Sequence, residues 1–279
     1  MLNTVYKEAI KNREKILSVL KGPKFEQIVK IAKQNWIEYC PKKQDSTLCG
    51  IDSSFNSTKF QGMELWVVTA VGVQSDGLLV DSLHRQGLGR VGVDISKMAS
   101  EMEVDICKKA IEVSDTVMMD GSLYSQFMTR QTGLTPEIVR IMTRKNNVIF
   151  IAKTSNTNVQ FKDLGSQAGD IFYYNHAVKS PGFSRIFVDS EFGRDKKISS
   201  IYARLSDSTP LIKIELFGDN HTEDEVKIML DKLAKTSVGG YPYALKLAHN
   251  NCKISSGDLA KLVSLYGISN EIGSREVLE

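Results

Sequence analysis

The sequence predicts a mixed α/β fold in which helices pack against a sheet. Two observations carry this. Apolar residues recur at helical spacing over the first forty residues, whereas from Thr47 onward short Val- and Ile-rich runs alternate with helical stripes. The order strand, strand, strand, helix, strand, helix, strand, between about residues 47 and 155, is one that layers helices on a sheet. No internal repeat, low-complexity tract or Pro/Gly/Ser-rich linker divides the 279 residues, so one domain over 1–279 is expected, with 1–45 as a helical extension.

Taken in order, two amphipathic helices open the chain, over 3–20 and 24–39. Gly22 ends the first and Pro23 starts the second. "TLCGIDSSF" and "MELWVVTAVGVQ" read as strands, the second too apolar for an edge. "GLLVDSLH" and "RVGVDI" can each supply a third. From Ser96 to Val113 the period becomes helical, with Met98, Ala99, Met102, Ile106 and Ala110 in one stripe. Then come the strand "DTVMMD", a helical stretch to about Lys145, and the strand "NVIFIAKTS". The strands "RIFVDS", "ISSIYARL" and "LIKIELF" follow, before two or three closing helices.

Composition narrows the function classes. A net charge of +3 and a pI near 8.5 permit a nucleic-acid partner without demanding one, so any basic footprint must be local. Lys153, Arg130, Arg140 and Arg144 are the candidates for it. The longest apolar runs, such as "LWVVTAVGV", fall short of the ~20 residues of a membrane span. The opening stretch is a charged amphipathic helix without a signal-peptide core, and a cytoplasmic location is expected. Four scattered cysteines without a CxxC pair argue against zinc and against a disulfide framework.

The chemistry concentrates in acidic residues. In "TVMMDGSLYSQ" a buried strand ends on Asp120; Asp-Gly is a common turn pair, which would account for it alone. Asp52 is harder to explain, because it lies inside the apolar strand "CGIDSSF", where an unpaired carboxylate is costly. If the first strand lies beside the later parallel one, Asp52 and Asp120 converge. Two such carboxylates repel unless a divalent cation lies between them, and hard oxygen ligands suit Mn²⁺ or Mg²⁺. Such an ion clamps a phosphate and activates a water. The intervening helix should add a glutamate: at 100° per residue Glu103 falls near the middle of the apolar arc, and Glu101 lies on the polar side. Of the histidines, His84, His176 and His221 sit in polar, loop-like surroundings. His249, in "GGYPYALKLAHNN", shares one side of a predicted helix with Tyr241 and Leu245. Lys153 ends the strand "VIFIAK", where it can snorkel or approach a phosphate.

Taken in order, "GIDSS", "MMDGSL", "IAKTS", "IYARL…IKIEL" and "YPYALKLAH" resemble the signatures of the NurA nuclease family across roughly residues 45–255. The resemblance implies an RNase H-like core over 46–279, a mixed sheet flanked by helices with added N-terminal and C-terminal helices. It also implies an Asp-Glu-Asp metal site and Mn²⁺-dependent 5′ to 3′ exonuclease and single-strand endonuclease activity on DNA. A homodimer is implied too, working beside a hexameric HerA-type helicase in resection of double-strand-break ends. By motif, Asp52 and Asp120 match the family's two aspartates, and Tyr241 and His249 its C-terminal Tyr and His. The family spacing favours Glu101 for the glutamate, the helical wheel Glu103, and both stay open. A serine follows Asp52 where the family pattern has a Gly or small residue. That departure, with the short chain, leaves a catalytically weakened, DNA-binding or helicase-regulating paralogue as the alternative.

Overall fold

In a computed structural model, which describes residues 2–18, 20–123, 135–144, 147–189 and 197–268 except the side chains of Ile16, Thr135 and Arg144, period-2 patterning becomes three long strands. These are β2 (Leu48–Lys59), β3 (Glu64–Gln74) and β4 (Leu79–Gly89), paired antiparallel in sequence order. The β3–β4 turn is closed by Gly77 at φ +93° and by Asp76, which accepts a hydrogen bond from the Leu78 amide. Helix α4 (Ile95–Val113) starts on Asp94, whose carboxylate caps the Lys97 amide. It delivers the chain to β5 (Thr116–Asp120), parallel to β2, and β6 (Val148–Ala152) then pairs parallel to β5. The spatial order β4-β3-β2-β5-β6, an antiparallel meander followed by two parallel strands, is the RNase H-like arrangement.

The described sheet continues through β10 (Ile212–Phe217), β9 (Ile198–Arg204), β7 (Gly182–Ser184) and β1 (Trp36–Glu38), with β8 (Phe187–Asp189) also on β9. Period-2 alternation sends successive residues of the central strands to two different helical layers. Cys49, Ile51, Val117, Met119 and Phe150 pack under α4 and α5 (Thr135–Arg144). Leu48, Met118, Ile149 and Ile151 pack under α7 (Glu223–Lys235) and α8 (Tyr243–Cys252). A third cluster joins α3 (Pro23–Gln34) to α6 (Asp170–Ala177), and α9 (Ser256–Leu265) covers Leu65 and Val67. No described helix is long and apolar enough to cross a membrane.

Three expectations are corrected. The helix expected over 24–39 stops at Gln34, because Trp36–Glu38 enter the sheet against Gly182–Ser184, a partner nearly 150 residues away that local spacing does not reveal. The first helix divides into α1 (Leu2–Lys11) and α2 (Arg13–Leu17). "RVGVDI" is not a strand: Gly92 turns at φ +104° and donates its amide to Glu64 Oε2 at 3.0 Å, and Asp94 serves as the α4 cap. Part of the helical stretch before Lys145 and the end of "RIFVDS" lie outside the described residues.

Candidate metal centre

The site begins with a close approach. Gly50 on β2 faces α8, and a Cβ there would stand 2.4 Å from the backbone of Ala244 and Leu245. Glycine thus lets α8 lie directly on the strand. Two residues on, Asp52 points to the same face and meets α8 one turn further along, where its Oδ2 lies 2.9 Å from His249 Nδ1. The β2–β5 register, with Ile51 opposite Met119, carries on to set Asp52 beside Asp120 at the end of β5. One ligand atom each from Asp52, Asp120 and His249 lies within 4.8 Å of the others.

Around this trio the remaining charges are arranged with care for Asp120. Lys153 Nζ, just past β6, lies 3.1 Å from Asp120 Oδ2, and the Tyr241 hydroxyl donates to Asp120 Oδ1 at 3.2 Å. The same ammonium stands 4.8 Å from the centre of the Tyr241 ring, a cation–π contact. Burial, and then the neighbouring Asp120, push the Tyr241 hydroxyl well above its ordinary range, so it stays a donor. Tyr241 reaches the site from a short strand, Tyr241–Pro242, rather than from the helix; Pro242 at ψ +125° is extended and α8 starts after it. His249 is half exposed, not a core residue. His84 and His176 are exposed as expected, although on β4 and α6 rather than loops. His221 is partly buried against the Phe217 carbonyl.

The two glutamates part company. Glu103 is buried under the sheet and accepts a hydrogen bond from Ser53 Oγ, while the Ser53 amide donates to Asp52 Oδ1 at 2.8 Å. Ser53 therefore ties together carboxylates that lie on opposite faces of β2. Glu101 points instead to Arg85 on β4, 3.6 Å away, in a partly exposed pair. Burial first, and then the charges of Asp52 and Asp120, raise the Glu103 carboxyl to about 8, against the lowering by Ser53; burial also raises Asp52.

That shift has a sign that can be measured. Glu103 releases its proton near 4.5 when unfolded and near 8 when folded, so metal-free stability falls as pH rises through that window and levels off above it. In a chelator, Glu103→Gln lacks this loss. Its melting temperature should gain on the wild type from about pH 4.5 to about pH 8. A pH-independent gap between the two proteins would contradict the assignment.

Of the other expected cations, Arg140 pairs with Glu137 at 2.9 Å on α5; Arg130 and the side chain of Arg144 lie outside the described residues. Ser53 and the fully buried ion pair Lys213–Glu215 on β10 are not among the residues expected from sequence; Glu215 also accepts from Ser122 Oγ at 3.0 Å. The available signal was a cation and an anion two apart in "IKIEL", which an apolar strand sets on one face.

The donor set, two carboxylates and an imidazole around one spot, suits a divalent metal ion such as Mn²⁺, which accepts both oxygen and nitrogen ligands. Among known proteins, the family model described as NurA domain matches residues 46–254. The chain is similar to the DNA double-strand break repair nuclease NurA of Saccharolobus solfataricus, 23% identical across 83% of this chain and 84% of that protein. Its structure is similar to that of the NurA nuclease from Sulfolobus solfataricus, with a TM-score of 0.80 at 20% identity, covering 96% of this chain and 97% of that one. A crystal structure of NurA bound to dAMP and manganese aligns with a TM-score of 0.61 at 12% identity, over 98% and 97% of the two chains. At these identities the structural likeness shows the fold.

Proposed function

The chain belongs to the NurA domain family, and we propose that its acidic cluster makes it a metal-dependent deoxyribonuclease. The observation that carries this reading is the convergence of Asp52, Asp120 and His249 within 4.8 Å. Asp52 and Asp120 would hold the ion, Mn²⁺ by preference and Mg²⁺ as a substitute, with His249 at its edge. When bound, it polarises the scissile phosphate and lowers the pKa of a water. His249 sets Nδ1 on Asp52, which fixes the ring and leaves Nε2 for proton transfer at the phosphate. Tyr241 and Lys153 hold Asp120 in place, and Lys153 adds a positive charge for the strand. Glu103, behind Ser53, completes the acidic set from the α4 side.

Family membership extends the proposal to 5′ to 3′ exonuclease and single-strand endonuclease action in double-strand-break repair. It also extends to a homodimer working with a HerA-type hexameric helicase, in the cytoplasm. Convergence of the trio favours catalysis over the weakened, DNA-binding alternative. The test is digestion of end-labelled single-stranded DNA with Mn²⁺, reversed by EDTA; DNA binding without Mn²⁺-dependent products would select the alternative.

The glutamates give a sharper check. Glu103→Gln should cost at least ~10²-fold in rate and shift the Mn²⁺ dependence upward. Glu101→Gln removes only an exposed ion pair and should stay within ~0.5 kcal/mol of wild-type stability, with near-normal activity. If Glu101→Gln alone is inactive, the family spacing was the better guide; if both cleave normally, the site has no working glutamate.

A further inference from the structure

Against the loop that carries Lys153 lies a cleft of about 480 Å³, within the range of ligand-sized sites. Lys153, Ser155, Phe172, Lys179, Arg204 and Thr209 are among its lining residues, and no Asp or Glu is. Arg204 comes from "IYARL" on β9, a motif for which the metal centre has no use. It is 1% exposed, and its Nη2 donates to Asn175 Oδ1 at 3.0 Å and to the Val178 carbonyl at 3.2 Å. Its Nε is buried without a hydrogen-bond partner, and among the described residues no carboxylate pairs with it. A guanidinium taken out of water without a counter-charge is costly, and an anion in the cleft would supply one. Lys179 strengthens the field: it is exposed, its Nζ donates to the Asn175 carbonyl at 2.7 Å, and among the described residues no acid pairs with it. Burial lowers the Arg204 pKa, in keeping with an uncompensated charge.

We propose that this cleft is a nucleotide subsite for the DNA strand, seating a phosphate by Arg204 and Lys179 with Phe172 as an aromatic wall. Arg204 and Lys179, neither paired with a carboxylate among the described residues, select a phosphate, and an aromatic face accepts a base or sugar regardless of sequence. Lys153 belongs to both places, lining the cleft and contacting Asp120, so a strand seated here runs on toward the acidic cluster. The subsite rests on the nuclease reading for its ligand.

The test separates the two. In EDTA, where nothing is cleaved, binding of a fluorescent single-stranded oligonucleotide is followed by anisotropy across a salt series. Lys179→Glu, an exposed change that spares the fold, should weaken binding at low salt at least ~tenfold, the worth of one charge-assisted hydrogen bond. It should also reduce the slope of log K against log salt by about 0.7, one single-strand phosphate contact. Lys261→Glu on α9, outside the cleft, should leave both unchanged. Oligonucleotides with and without a 5′-phosphate show whether the seat takes a terminal or an internal phosphate; in either case the Lys179→Glu loss is required. Wild-type affinity and slope in Lys179→Glu would overturn the subsite while leaving Mn²⁺-dependent cleavage, and with it the nuclease reading, untouched.

Discussion

Asp120→Ala and Asp52→Ala should each lower Mn²⁺-dependent DNA cleavage by at least ~10²–10³-fold while leaving the protein folded. Each removes one of the trio of ligand groups gathered within 4.8 Å. The metal-free protein loses little. Asp120 gives up a 3.2 Å bond from Tyr241 and a partly exposed contact with Lys153, and its removal relieves repulsion on Asp52. Melting in EDTA should therefore hold steady or rise in both variants, while the stabilisation that Mn²⁺ gives the wild type disappears. Activity loss accompanied by a collapse in the EDTA melting temperature would point to misfolding. Full activity in either variant would remove the metal-centre reading.

What the sequence made legible was whatever repeats locally. The meander, α4 and the parallel strands each have an internal period, and the helical wheel set Glu103 inward and Glu101 outward, as the structure places them. Asp52 stood out because a carboxylate inside an apolar strand violates the pattern around it. What stayed hidden depends on partners distant in sequence. Trp36–Glu38 read as helix because its strand partner lies at Gly182–Ser184. Ser53 looked like an ordinary strand serine, since its role exists only once α4 brings Glu103 to it. The convergence of Asp52 and His249, almost 200 residues apart, depends on the approach of α8 to Gly50, a packing fact without a local signature.

Lys213→Met should be among the most destabilising single changes near the site, costing about 3–5 kcal/mol, because it leaves the Glu215 carboxylate buried without its cation. Both side chains are 1% exposed on β10, so water cannot take over. For a chain of this size that corresponds to a fall in melting temperature of roughly 6–20 °C, at ~2–4 °C per kcal/mol. Glu215→Met should cost less, because the Lys213 ammonium keeps the nearby Asp170 carboxylate and its bond to Thr157. The double variant Lys213→Met/Glu215→Met should recover much of the loss, since well-packed apolar side chains often replace a buried pair at little cost. Activity should not recover with it. Lys213 Nζ donates to Thr157 Oγ1 at 3.0 Å, and Glu215 accepts from Ser122 Oγ, so the pair tethers the loop after Lys153 and the turn after Asp120. A double variant that is stable yet slow, with Mn²⁺ binding weakened, would locate the function of the pair in holding Asp120 and Lys153 in register. Single variants whose losses are small and simply additive would show that the pair contributes neither stability nor positioning.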